Sequence, residues 1–259
     1  MSAAPVFTTG RRPNLWWMVN DDFMAPLEAM GLSQPETVSA WIRHGSEASR
    51  ASSGRGRTQI LSLPGRTEDL ILRRTLHGGV LGPLWRGRLG SLKRIQRELE
   101  VTSSLQRAGA AVPCPALGIA VASGPLWLAS IATVYIPDTV TSLDWLSLAH
   151  ADTERTNRVA KSVGEALGYF HGCGGQHADL HAGNILVCEE TERVRAWIID
   201  LDKARFDEAK GGRRTAELKR LAHSLEKREW LQTIGQETRS CFTQAYEAGL
   251  EMGLHRARH

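Results

Sequence analysis

His177-Ala178-Asp179-Leu180-His181-Ala182-Gly183-Asn184-Ile185-Leu186-Val187, followed by Trp197-Ile198-Ile199-Asp200-Leu201-Asp202, is the most informative stretch of the chain. An Asp and an Asn stand five residues apart on a loop that leads into an apolar run, and a second Asp closes the next apolar run. The runs Ile185-Leu186-Val187 and Ala196-Trp197-Ile198-Ile199 are separated by a charged segment from Glu189 to Arg195 and read as a β-hairpin. A hairpin of that size brings Asn184 and Asp200 near each other, with Asp179 at its mouth. Phosphoryl transfer needs such a set: a carboxylate that orients an attacking hydroxyl and accepts its proton, and two oxygen ligands for Mg2+ on nucleotide phosphates. The competing metal reading is zinc, since His177 and His181 are four apart around Asp179. A helical zinc pair also needs the general-base Glu of H-E-x-x-H, which is absent here.

Upstream of this stretch, Asp152 is a plausible N-cap for a helix that runs through Val159, Val163, Leu167 and Phe170 to Gly172. Downstream, Leu218, Leu221 and Leu225, then Phe242, Tyr246 and Leu250, give a helical end to the chain. The front half is different. Gln59-Ile60-Leu61-Ser62-Leu63 and Asp69-Leu70-Ile71-Leu72 flank Pro64-Gly65 and read as two strands joined by a turn. Leu92, Ile95, Leu99 and Leu105 mark an amphipathic helix over 92–107, stopped by Gly109. Between Arg107 and Asp138 there is no Asp, Glu, Lys or Arg, a length that on its own would suit a membrane span. Pro113, Pro115, Gly124-Pro125 and Pro137 cut it into two or three buried strands instead. Strands, one helix, strands and then mostly helices predict an α+β fold: a β-rich first lobe over 41–140, a compact α-rich second lobe over 141–259, and a cleft between them. Residues 1–40 stand apart as an N-terminal extension.

The 259 residues are 42% apolar and 23% charged, enough to bury a core and far from disordered or collagenous composition. Cys114, Cys173, Cys188 and Cys241 form no C-x-x-C pair, and the start shows no apolar leader before Arg11 and Arg12, so a reducing cytoplasm is expected. The net charge of +4 is unevenly placed: residues 43–107 carry 13 Lys or Arg against 5 Asp or Glu, and residues 108–259 carry 17 against 19. A basic front half suits phosphates, on a nucleotide or on an anionic membrane surface.

The pattern H-x-D-L-x-x-x-N followed by I-D resembles the catalytic loop and metal aspartate of protein-kinase-like phosphotransferases. The resemblance implies Asp179 as catalytic base, Asn184 as a nucleotide-side Mg2+ ligand and Asp200 as the second Mg2+ ligand. It also asks the first lobe for a phosphate-covering glycine loop, for which Gly54 and Gly56 are candidates, although Gln59 stands where a third glycine would fall. The strand Leu70-Ile71-Leu72-Arg73 offers Arg73 in place of the usual lysine, with Glu98 on the following helix as its ion-pair partner and Arg74 as the alternative should the register differ by one. Asp202 replaces the glycine of D-F-G, no A-P-E segment follows, and only 59 residues lie beyond Asp200, too few for a large peptide-binding lobe.

Gly54-Arg55-Gly56, Leu72-Arg73-Arg74 before Gly78-Gly79, Arg97-Glu98-Leu99, Val112-Pro113-Cys114-Pro115, the His177 loop, Ile199-Asp200 and Leu218-Lys219-Arg220-Leu221 before Ser224-Leu225 together resemble the lipopolysaccharide kinases over roughly residues 45–230. Among them the Kdo (3-deoxy-D-manno-octulosonic acid) kinases are the most similar, with the inner-core heptose kinases close behind. The resemblance implies ATP- and Mg2+-dependent phosphorylation of a sugar hydroxyl on a lipid-linked acceptor, a Kdo-lipid A precursor or a core sugar. It places the protein peripherally at the cytoplasmic face of the inner membrane, against anionic lipid and with no nucleic acid. Trp16, Trp17, Trp41 and Trp85 are then candidates for interfacial or sugar contacts. An aminoglycoside- or choline-like acceptor, or a non-catalytic nucleotide-binding role prompted by the missing lysine, are the alternatives that the same loop allows.

Overall fold

The computed structural model describes residues 5–44, 58–75, 88–149, 152–190, 193–207 and 214–257. By its contacts the chain divides into two compact units. The first comprises residues up to Ser103 together with Cys114–Tyr135, and the second joins Ser104–Pro113 to everything from Ile136 onward.

The first unit is built on β1 (Phe7–Arg12), β2 (Leu15–Asn20), α1 (Met24–Ala29), α2 (Pro35–His44), β3 (Thr58–Leu61), β4 (Leu70–Arg74), α3 (Lys93–Arg107), β5 (Pro115–Ser123) and β6 (Leu126–Val134). Its six strands form one antiparallel sheet in the order β1-β2-β5-β6-β4-β3. Within the 1–40 segment that the sequence reading set apart as an extension lie two strands of this sheet, α1 and most of α2. Their burial explains why. Val38, Trp41 and Ile42 of α2 pack with Leu27 of α1 on Leu15, Val19, Leu70, Leu72, Leu117 and Ile119. The opposite face carries Trp16, Met18, Ala120, Ala129 and Ile131 under Ile95 and Leu99 of α3.

Two covered faces account for the long uncharged stretch. A strand buried on both sides reads as a continuous apolar run, and the stretch is the β5-β6 hairpin, turned at Gly124 with φ +63°. Gly118 on β5 is required by the helix above it, because a Cβ there would stand 2.7 Å from the Ile95 side chain. Among the described residues no helix is long and apolar enough to cross a membrane. The tryptophan expectation is corrected at two positions: Trp16 and Trp41 are 5% and 4% exposed and serve the two cores. Trp17 is half-buried, and Trp85 lies outside the described residues.

The second unit contains β7 (Thr139–Thr141), α4 (Ser142–Ala149), α5 (Thr153–Gly172), β8 (Gly175–Gln176), β9 (Ile185–Glu189), β10 (Val194–Ile198), β11 (Arg205–Phe206), α6 (Arg214–Glu226), α7 (Trp230–Thr233) and α8 (Gln236–Arg256). Asp152 caps α5 as its sequence suggests, its carboxylate accepting the Arg155 N–H at 3.0 Å. Arg155 then grips both oxygens of Glu189 at 2.6 Å, and the Trp145 indole N–H adds a third bond at 3.0 Å. These bonds, the arginine's above all, hold the Glu189 carboxyl below its ordinary range. The tie between α4, α5 and β9 is therefore present at neutral pH and is lost as pH falls through that depressed value.

The unit's axis is the pair α5 and α8. Gly164, Gly168 and Gly172 recur every four residues on α5 and face Ala245, Gly249 and Gly253 of α8. A Cβ at Gly168 would sit 2.0 Å from the Tyr246 carbonyl oxygen, and one at Gly249 would sit 2.4 Å from that of Glu165. The two backbones touch directly, which only glycine permits here.

Candidate active site

Two small ladders frame the loop from His177 to Asn184. Before it, β8 pairs with β11, and after it, β9 pairs with β10, so the loop and the turn following β10 leave the same end of the two ladders. The hairpin register, Ile185 opposite Ile198, brings Asn184 beside Ile199, whose N–H bonds to the Asn184 carbonyl at 3.0 Å. Asn184, buried, donates its side-chain N–H to the Asp179 carbonyl at 2.9 Å. Asp179, Asn184 and Ile199, the residue before Asp200, are thus joined by hydrogen bonds.

His177 organises the rest. Its ring is 1% exposed by residue; Nδ1 accepts the Asp179 backbone N–H at 3.2 Å, which leaves Nε2–H to donate to the Ile199 carbonyl at 2.9 Å. That assigns the neutral Nε2–H tautomer. Both nitrogens are committed, so His177 has none left for zinc, and Nδ1 of His181 is taken up by the Gly183 N–H at 3.1 Å. The Asp179 side chain is exposed, and among the described residues no hydrogen bond holds its carboxylate. Its backbone is pinned on both sides while its carboxylate faces outward, an arrangement suited to a reactant rather than to a structural group.

Asp200 adopts the left-handed conformation, φ 60° and ψ 58°, before a short 3-10 turn at Leu201–Lys203. Asp tolerates this region better than most residues, at a cost of about 1–2 kcal/mol. Such strain persists where surrounding structure over-determines it and is concentrated at functional sites.

In the first unit, Arg73 on β4 forms an ion pair with Glu98 on α3. Glu98 is 5% exposed and Arg73 is 34% exposed by side chain. Successive strand residues point to opposite faces, so Arg74 follows Leu70 and Leu72 onto the face away from α3. Gly54 and Gly56 lie outside the described residues.

Sequence reasoning missed two features of the second unit. Glu217 on α6 is 1% exposed, and its Oε2 accepts the His177 backbone N–H at 2.8 Å. The signal was present: Glu217, Leu221 and Ser224 share one helical stripe, so a carboxylate stands where an apolar residue is expected. The second is a cavity of about 320 Å³ whose lining is almost wholly apolar, including Trp145, Val159, Leu221, Phe242 and, from the loop, Ala182 and Ile185. Its residues come from separated helices, and no local pattern announces it.

Residues 39–246 match the sequence model of the lipopolysaccharide kinase (Kdo/WaaP) family. This chain belongs to that family. Among curated relatives of this Kdo/WaaP kinase, the 3-deoxy-D-manno-octulosonic acid kinase of Vibrio parahaemolyticus serotype O3:K6 is 28% identical over 199 residues, covering 75% of this chain and 79% of that protein. The enzyme of the same name from Actinobacillus succinogenes is 28% identical over 172 residues, covering 63% of this chain and 68% of the other. A solved structure of WaaP in complex with acyl carrier protein aligns with a TM-score of 0.55 at 20% identity, over 93% of this chain and 98% of that one. The fold is therefore the kinase-like α+β fold, and the lipopolysaccharide kinase assignment makes the chain a phosphotransferase acting on a sugar hydroxyl.

Proposed function

We propose that this Kdo/WaaP-family kinase transfers the γ-phosphoryl group of ATP to a hydroxyl of Kdo, or of a neighbouring inner-core sugar, on a lipid-linked lipopolysaccharide precursor. The reading is carried by the outward carboxylate of Asp179 on a loop whose backbone is bonded to His177 and Asn184. Asp179 orients the acceptor hydroxyl and takes its proton at a carboxylate oxygen as the new O–P bond forms and the bond from the γ-phosphorus to the bridging oxygen breaks, releasing ADP. Its fixed backbone holds that oxygen in place before substrate arrives, which is where much of the barrier reduction in phosphoryl transfer originates.

The donor set suits Mg2+. Asn184 has its amide nitrogen engaged with Asp179, leaving Oδ1 as the ligating atom, and Asp200 supplies a carboxylate; both are hard oxygen donors. When bound, Mg2+ neutralises charge on the transferring phosphates. Arg73, oriented by Glu98, supplies a permanent cation for phosphate oxygens in the place where related folds use lysine.

The names of the curated relatives favour Kdo as acceptor. The apolar lining of the second unit's cavity suits a hydrocarbon chain rather than a sugar, which favours an acceptor that carries lipid over a free saccharide. The basic excess over 43–107 supports peripheral contact with anionic lipid at the cytoplasmic face of the inner membrane.

The test is transfer of γ-labelled phosphate from ATP, with Mg2+, to a Kdo-lipid A precursor in mixed micelles, to free Kdo and to an aminoglycoside. Label is expected on the lipid acceptor. Label on the aminoglycoside instead would overturn the acceptor, and no label on any of them would overturn the activity. Asp200→Ala is expected to weaken Mg2+-dependent nucleotide binding about 10- to 100-fold; undiminished binding would move the metal site elsewhere.

A further inference from the structure

Arg220 on α6 and Arg205 on β11 meet the residues that lead into Asp179 from two different elements. The Arg220 guanidinium donates to the His177 carbonyl at 3.3 Å, on the peptide that joins His177 to Ala178. Arg205 stands opposite Gln176 in the β8-β11 ladder, one residue before His177. Both arginines are exposed, and so are Ala178 and Asp179. The protein-kinase signature H-R-D-L carries an arginine where this chain has Ala178. A methyl group there leaves room beside Asp179, and cations reach the place from α6 and β11 instead.

Neither arginine is neutralised. Among the described residues Arg66, Arg73, Arg155, Arg158 and Arg195 are each ion-paired with a glutamate, whereas no carboxylate lies within ion-pair distance of Arg205 or Arg220. Glu217, one turn before Arg220, has its Oε2 engaged by the His177 N–H at 2.8 Å and faces the His171 ring at 3.1 Å. Arg220 spends one N–H donor on the His177 carbonyl. That bond holds the guanidinium beside the loop and leaves its remaining donors for a ligand. A single unpaired surface arginine is ordinary. Two that meet residues 176 and 177, next to an outward carboxylate, are placed to touch whatever molecule presents its hydroxyl to Asp179. The planar fork of arginine matches a carboxylate or phosphate with two parallel bonds. The pair also offsets the repulsion that the Asp179 carboxylate exerts on an anionic acceptor. Residues 108–259 carry 17 Lys or Arg against 19 Asp or Glu, so this local excess of cation is not a consequence of composition.

We propose that Arg220 and Arg205 form an anion subsite beside Asp179 that binds an acidic group of the acceptor and selects acidic sugar acceptors over neutral ones. The group recognised is an oxyanion, which a lipid-linked Kdo offers as the carboxylate of the sugar acid and as any phosphate on its glycolipid. The kinetic half of the proposal rests on the phosphotransfer reading, and the binding half does not.

The test uses Arg220→Gln, Arg205→Gln and the double variant in the full chain, with thermal unfolding to confirm the fold. Three acceptors are compared in mixed micelles: a Kdo-lipid A precursor, the same molecule with its carboxylate methyl-esterified, and the same molecule with its lipid phosphates removed. Steady-state kinetics is read beside equilibrium binding of each acceptor in the presence of a non-hydrolysable ATP analogue. Arg220→Gln is expected to raise the KM and Kd of the intact acceptor about 10- to 100-fold, the range of a charge-assisted pair, with kcat and the KM of ATP within about threefold. Arg205→Gln should raise them about three- to tenfold. On the acceptor that lacks the recognised anion, wild type and variants should bind alike: the ester if the subsite takes the carboxylate, the dephosphorylated molecule if it takes phosphate. Arg220→Lys keeps the charge without the fork and should recover part of the loss. Lys219→Gln, at the exposed neighbouring position, should change each value by less than about twofold.

Equal losses on all three acceptors would overturn the proposal and make Arg220 a prop for the His177 carbonyl, as would a fall in kcat at constant KM. Wild-type affinity in the double variant, or a raised KM for ATP alone, also rejects it. A wild-type chain that binds none of the acceptors does the same. If the wild-type chain binds them but transfers phosphate to none, the phosphotransfer reading fails, and the Kd differences still decide whether the two arginines hold the acceptor's anion.

Discussion

Asp179→Ala should lower turnover by about 10²- to 10⁴-fold, the range that a positioned general base supplies, while nucleotide affinity and the thermal unfolding midpoint stay close to wild type. The expectation follows from which atoms of Asp179 are engaged. Its N–H and carbonyl bond to His177 and Asn184, and alanine keeps both. Its side chain is exposed, so truncation opens no cavity. Only the proton acceptor is lost. Asp179→Asn should behave alike, since the amide matches the carboxylate in shape but cannot take a proton at neutral pH. Transfer of labelled phosphate, read beside equilibrium nucleotide binding, checks both variants. Equal losses of turnover and binding in the alanine variant would assign Asp179 a structural role and leave the base unidentified.

Gly168→Ala should cost about 3 kcal/mol or more of stability, at the upper end of what a single added methyl normally does. The new Cβ would stand 2.0 Å from the Tyr246 carbonyl oxygen and 2.8 Å from the Leu250 backbone nitrogen. Neither is a flexible side chain that can swing aside, so α5 and α8 must separate along their length. Tyr246 and His171 sit on those two helices, and their 2.8 Å bond would open with the helices. Gly235→Ala is the control: nothing lies within 4 Å of its Cβ, and it should change stability by less than about 1 kcal/mol. Denaturant unfolding of the two variants side by side measures the difference. If Gly168→Ala unfolds like Gly235→Ala, the helices can part freely and the close approach contributes no specificity.

What the sequence settled by itself was local. The helix read over 92–107 is α3 at Lys93–Arg107, stopped where Gly109 takes φ +89°. The cap at Asp152, the end of α5 at Gly172 and the hairpin on either side of the charged 189–195 segment all stand where periodicity, caps and turn residues put them. The approach of Asn184 to Ile199, the residue before Asp200, was legible for the same reason, since a hairpin between neighbouring runs closes over few residues.

Tertiary structure alone decided the rest, because those contacts join residues far apart in the chain and leave no local period. Residues 1–40 show little pattern in isolation, yet β2 pairs with β5 about a hundred positions later and α2, which begins at Pro35, closes a face of the sheet. The same event turned Trp16 and Trp41 from interfacial candidates into core. Glu217 reached His177 across 40 positions, and the left-handed turn at Asp200 depends on ladders on either side of it. Side-chain periodicity encodes which face of an element is buried; what covers that face, and which buried polar group the cover brings, is set only when the elements meet.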